Sequence, residues 1–165
     1  MKVIVAYMSE TGNTKNVAEA IFDEIRAEKD VRELSAVESL EGYDLAFVGF
    51  PMQMGTAPDD ARAFLEKHCA GKRIALFTTH AAPEDSERLQ QALENCKQAA
   101  ASAEVLGLFN CQGEMSERVM NYLLSSDDPK LQAAGRRRPS TIGQPDASRL
   151  QRARAFAREI IARGG

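Results

Sequence analysis

Four runs of apolar and β-branched residues recur along the chain, at Val3–Tyr7, Asp44–Phe50, Arg73–Phe77 and Glu104–Phe109, with a weaker candidate at Val31–Leu34. Between them the apolar positions change period. After Asn13, residues Val17, Ala18, Ala20, Ile21 and Ile25 fall near the spacing of a helix that buries one face. Pro58 opens a second such segment, in which Ala61, Phe64 and Leu65 share a side. Pro83 opens a third, lined by Leu89, Ala92, Leu93 and Cys96. A last helix is expected from Asp146, a good N-cap, to Arg163, with Gly164 and Gly165 ending it. Strands that alternate with helices call for crossover connections, and so for a parallel sheet covered on both faces.

This order of elements predicts an α/β, doubly wound fold: a five-stranded parallel sheet, order 2-1-3-4-5, with helices on both faces. Ligands of such sheets bind at the carboxyl ends of the strands, where the winding reverses, so function is expected in the loops after strands one, three, four and five. Residues 114–147 break the alternation. Glu114–Leu124 is compatible with a short helix, but Ser125 to Pro129 and Gly135 to Pro145 are polar and rich in breakers. A long irregular excursion is therefore expected at about 125–145, inside a single domain spanning 1–165.

Composition changes this picture little. The chain is 44% hydrophobic and 27% charged, with no apolar stretch near the roughly 18 residues that a membrane span requires. Its first residues run directly into a strand without the pattern of a signal peptide, so a cytoplasmic protein is expected. Cys69, Cys96 and Cys111 lie far apart with no C-x-x-C pair, which argues for reduced thiols and against a metal site. Charge is uneven: residues 136–165 hold 2 acids against 8 bases in a chain of net −3. Arg149, Arg152, Arg154, Arg158 and Arg163 nevertheless fall opposite Leu150, Ala153, Phe156 and Ile160 on one helical pattern. That is a solvated outer face rather than a nucleic-acid surface.

The first loop carries the clearest chemistry. Ser9, Glu10, Thr11, Gly12, Asn13 and Thr14 join strand one to the first helix. Three hydroxyls and several backbone N–H groups can converge there on one phosphate at a helix N-terminus, where unpaired amides and the dipole favour an anion. The lysine-bearing G-x-x-x-x-G-K-[ST] loop and the dinucleotide G-x-G-x-x-G pattern are both absent. A phosphate monoester held by hydroxyls and amides, without a counter-cation, is expected.

Tyr7, Ser9, Gly12, Thr14, Ala18 and Ile21 stand at the spacing of the flavodoxin fingerprint, preceded by Val5; Ala6 departs from it, where a larger apolar residue is usual. The chain thus resembles the flavodoxin family, which implies that this loop wraps the phosphate of FMN. By the same resemblance, Pro51, Met52, Gln53, Met54, Gly55 and Thr56 form the loop over one face of the isoalloxazine, with Met54-Gly55 as the peptide that reorients on reduction. The sequence has no Trp, so Met52 and Met54 are the available polarisable substitutes for aromatic walls. Thr79, His80, Ala81 and Ala82 occupy the second flavin-contacting loop, where His80 is a candidate to donate to a flavin carbonyl or to stack. The run Phe109-Asn110-Cys111-Gln112-Gly113 resembles a narrower group of short flavodoxin-like proteins of anaerobic bacteria. One branch of that group is similar to the flavodoxin-like component that accompanies a bilirubin reductase. Cys111 has no base beside it in sequence and reads as a buried structural thiol.

The resemblance implies an FMN-bearing electron carrier that takes electrons from a reductase and passes them to an acceptor enzyme. No residue need be a catalytic acid or base, because the flavin supplies the redox chemistry. The enzyme alternative is an NAD(P)H-dependent FMN or quinone reductase, with Arg136, Arg137 and Arg138 as candidate phosphate ligands. Three adjacent arginines cannot all face one ligand, which weakens it. A binding module that has lost FMN is disfavoured by the intact first loop. The modest net charge points away from salt-steered shuttling and toward a dedicated partner met through Met52, Met54 and Met115. No membrane or nucleic-acid partner is expected, and the chain is expected to be a monomer or weak dimer.

Overall fold

A computed structural model of the protein describes residues 1–164. The strands are β1 (Lys2–Tyr7), β2 (Glu28–Glu33), β3 (Leu45–Pro51), β4 (Arg73–His80) and β5 (Glu104–Gln112). They form one sheet in the order β2-β1-β3-β4-β5, every neighbouring pair parallel, as the sequence predicts. The helices are α1 (Asn13–Glu24), α2 (Asp59–His68), α3 (Glu87–Ala99), α4 (Glu117–Leu124), α5 (Pro129–Arg136) and α6 (Ala147–Gly164). No described helix is long and apolar enough to cross a membrane. Asp146 precedes α6 and its carboxylate accepts the Arg149 N–H at 2.9 Å, which caps the helix as its position suggests. Gly164 is the last described residue of α6; Gly165, expected to end the helix with it, lies outside the described residues.

Side chains alternate across the pleat, so the central strands bury both faces. Val3, Val5, Leu45, Phe47, Ala75 and Phe77 pack with α1 and α6. Ile4, Ala6, Ala46, Val48, Ile74 and Leu76 face the opposite core, with α2 and α3. The sheet is tight enough at β3 that a Cβ on Gly49 would lie 2.0 Å from the Phe77 ring.

Several expected boundaries shift. β2 begins three residues before the apolar pair that suggested it, and Leu34 belongs to a short 3₁₀ turn at Leu34–Ala36. An edge strand pairs on one side only, so Glu28–Glu33 stays in the sheet through its backbone while carrying charge outward. β4 and β5 run on past their apolar stretches, because the backbones of Thr78, Thr79 and His80 still pair with Phe50, Pro51 and Gln112. Thr79 and His80, expected in a loop, therefore close a strand. α3 starts at Glu87, with Pro83 in the turn before it. The stretch 125–145, expected to be irregular, carries α5 and a 3₁₀ turn at Arg138–Thr141. Asp128 caps α5 by accepting the Lys130 N–H at 2.8 Å, and Pro129 fits its first turn.

Candidate functional site

At the carboxyl ends of β1, β3 and β4 the chain opens a cleft of about 600 Å³. The loop from Ser9 to Thr14 forms its floor and is tied to each neighbouring segment by one side-chain hydrogen bond. Gln53 Nε2 donates to Glu10 at 2.9 Å, Thr14 and Thr79 share a hydroxyl bond of 2.9 Å, and Asn13 Nδ2 donates to the Glu114 carbonyl at 2.9 Å. Ser9 Oγ accepts the N–H groups of Gly12 at 3.1 Å and Lys15 at 3.3 Å. Those amides converge on one oxygen, and the helix geometry leaves the amides of Asn13 and Thr14 without an intrahelical acceptor. Gly12, at φ 97°, makes the sharp entry to α1. The arrangement suits an anion, with Ser9, Thr11 and Thr14 supplying hydroxyls.

The wall after β3 is a two-residue hairpin. Gln53 and Thr56 exchange both backbone hydrogen bonds, at 2.9 and 3.0 Å, and Met54 (φ 50°) and Gly55 (φ 74°) form the tip. Positive φ at both central residues defines a type I′ turn. A non-glycine residue is strained there, and rotating the intervening peptide alone would drive Met54 into a region only glycine tolerates. Reorienting the Met54 carbonyl therefore requires a change of backbone angles at both Met54 and Gly55, which the glycine tolerates. Asn95 of α3 anchors this tip by donating to the Gly55 carbonyl at 3.0 Å. Met54 itself is 92% exposed.

The β4 side contributes Thr79, His80 and Ala81. His80 is buried, and desolvation pushes its pKa below the usual value, so the ring is neutral at pH 7. Its Nδ1 lies 2.9 Å from the Ala82 carbonyl, which can only accept, so that nitrogen carries the proton. Nε2 lies 2.9 Å from Asn110 Oδ1; a ring that carries its proton on Nδ1 is satisfied there when the Asn110 amide is turned to present its N–H. Both ring nitrogens are thus engaged within the protein. His80 borders the cleft with both ring nitrogens bonded to protein atoms.

Gly12, Gly55, Thr56 and Ala82 stand behind the lining and shape it through turn geometry and carbonyls. Cys111 lies outside the lining, fully buried, and burial pushes its thiol up to about 12, which makes it inert. Of the three consecutive arginines, Arg136 and Arg137 are exposed. Arg138 is committed internally, donating to the Met115 carbonyl at 3.0 Å and pairing with Glu114 and Glu117.

One wall was singled out from the sequence only at Met115, and there as a partner contact. Met115, Arg118, Val119, Tyr122 and Leu123 line the cleft from the start of α4 and its face. The apolar spacing of Glu114–Leu124 foretold a helix but not where it would lie. Arg118 is the one lysine or arginine among the lining residues.

Similarity to known proteins agrees with this geometry. The flavodoxin-like domain-containing protein BilS of Clostridioides difficile (strain CD3) is 30% identical over 171 residues, which cover 98% of this chain and 97% of that protein. The oxidised flavodoxin 2 from Bacillus cereus shares the fold with a TM-score of 0.65 at 17% identity, over 99% of both chains. A flavoprotein from Lactobacillus acidophilus NCFM, solved in complex with FMN, matches with a TM-score of 0.53 at 18% identity, over 66% of this chain and 91% of that one. The flavodoxin domain family matches residues 4–158, nearly the full length, and this chain belongs to that family.

Proposed function

We propose that this chain is a flavin-bearing electron carrier that holds FMN, accepts electrons from a reductase and delivers them to a dedicated acceptor enzyme. The observation that carries the reading is the gathering, at one end of the cleft, of Ser9, Thr11 and Thr14 with the start of α1, whose Asn13 and Thr14 amides have no intrahelical acceptor. The rest of the lining is largely apolar, with Met52, Met54, Met115, Val119 and Tyr122 available to a flat ring. A volume of about 600 Å³ sits within the roughly 300–1,000 Å³ usual for small-ligand sites.

Bound FMN would supply the redox chemistry. The protein's part is to hold the phosphate through Ser9, Thr11 and Thr14, to present the Met54-Gly55 peptide to the ring edge, and to keep a neutral His80 beside it. The positive φ of the non-glycine Met54 is strained, which supports this peptide as a place where the backbone changes conformation. Residues 1–165 act as one domain in this reading, in a reducing cytoplasm where the three buried cysteines stay as thiols. The NAD(P)H reductase reading is not favoured: Arg138, the partly buried member of its proposed phosphate site, already serves Met115, Glu114 and Glu117.

Titrating the apo-protein with FMN, riboflavin and FAD tests the assignment. FMN is expected to bind tightest, and Ser9→Ala with Thr14→Val to remove most of its advantage over riboflavin, each hydroxyl bond to a charged group being worth about 1.5–3 kcal/mol. Equal affinity for FMN and riboflavin in the unaltered protein would overturn the phosphate site.

A further inference from the structure

The helix α4 lines the cleft yet buries none of its own residues. Val119, Tyr122 and Leu123 follow one another at helical spacing and form a stripe on it. Of the 7 large hydrophobic residues exposed in the described chain, Met54, Val119 and Tyr122 all border this cleft. Exposed apolar side chains gathered around a concavity point to a ligand rather than to bulk water. Tyr122, 64% exposed, is also the only Phe, Tyr or Trp among the described lining residues.

The position of α4 is set at its root. Asn13 of the first loop holds the Glu114 carbonyl at 2.9 Å, and a Cβ on Gly113 would come within 2.6 Å of the Asn13 amide nitrogen. The Met115 N–H donates to the buried Thr141 hydroxyl at 2.9 Å, which donates in turn to the Arg138 carbonyl at 2.7 Å. Arg138 Nε returns to the Met115 carbonyl at 3.0 Å. Farther along, α4 closes on α5 at Gly135, where a Cβ would meet Leu124 Cγ at 3.0 Å. The same loop that gathers the anion donors therefore also anchors the apolar stripe.

We propose that α4 is a wall of the flavin slot, with Tyr122, Val119 and Leu123 covering the isoalloxazine ring and the Asn13–Glu114 and Arg138–Thr141 ties holding the wall against it. This rests on the FMN reading above and extends it to a segment outside the loops after β1, β3 and β4. The wall screens the ring on its side from collisional partners, while the phosphate end is held independently.

The wild type, Tyr122→Ala and Tyr122→Phe are titrated with FMN and with riboflavin, and iodide quenching of the bound flavin's fluorescence is measured. Tyr122 is exposed, so neither substitution disturbs folding, which far-UV circular dichroism checks. Tyr122→Ala is expected to weaken both flavins alike, by about tenfold, and to raise iodide access; Tyr122→Phe is expected to restore both. Val119→Ser should act in the same sense, more weakly. Unchanged affinity and iodide access in Tyr122→Ala, or weakening confined to FMN, overturns the wall while wild-type FMN binding keeps the carrier reading. A wild type that binds neither flavin overturns both.

Discussion

Phe47 on β3 and Tyr122 on α4 are both large aromatic side chains, but the first is 0% exposed and the second 64%. Phe47 sits edge-on to Phe156, with ring centroids 6.2 Å apart, between the sheet and α6. Tyr122 borders the cleft. The contrast holds for the two regions around them. The central strands are held by apolar burial on both faces, a non-directional force that survives small adjustments. The α4–α5 hairpin is held at its root by a few directional bonds through Thr141, Arg138 and Asn13. A region fixed in this way can serve a ligand with its apolar face, because that face is not spent on the core.

Breaking the comparison begins with the sheet. Phe47→Ala should cost about 3–5 kcal/mol and lower the melting temperature by roughly 10 °C, measured by calorimetry with amide exchange rising throughout the sheet. A loss below about 1 kcal/mol would mean that the core is not the principal support. Gly49→Ala should cost about 1–3 kcal/mol by forcing its new methyl into Phe77. Combining it with Phe77→Leu should recover part of that loss, and strict additivity of the two would exclude the contact as its cause.

The hairpin should respond locally. Thr141→Val removes the acceptor of the Met115 N–H and should cost about 1–2 kcal/mol, seen as faster exchange at Met115–Tyr122 with β3 unchanged. Equal acceleration in β3 would join the hairpin to the cooperative core and dissolve the distinction. The smallest effect concerns His80, at the border of the two regions. Its pKa is lowered in the folded state, so the unfolded chain binds the proton more readily; stability is full above the ordinary value of 6.5 and declines as pH falls through and below it. His68 is shifted in the same direction. Comparison with His80→Asn isolates the His80 share, and an identical pH profile in that variant would remove it.

Much of the sheet and half of the cleft were legible in the sequence because their signals are local. Val3–Tyr7 carries its own two-sided burial, and Ser9–Thr14 brings hydroxyls, a glycine and a helix start together within six consecutive positions. The loops after β3 and β4 follow from their position in a doubly wound order, and their individual residues from the flavodoxin resemblance. The hydrogen bonding of His80 was not legible, since one partner is Asn110, 30 residues away. Nor was the length of β4 and β5, where polar residues end the apolar pattern but not the pairing.

By itself the sequence determined the alternation of strands and helices, the two faces of the core and the hydroxyl-rich first loop at the start of a helix, all properties of neighbouring residues and their period. Only the tertiary structure decided that Glu28–Glu33 forms an edge, that α5 occupies the breaker-rich stretch, and that α4 turns Val119, Tyr122 and Leu123 toward the first loop. Those outcomes rest on strand pairing and on polar ties such as Asn13 to Glu114, 101 positions apart, whose partners no local pattern names.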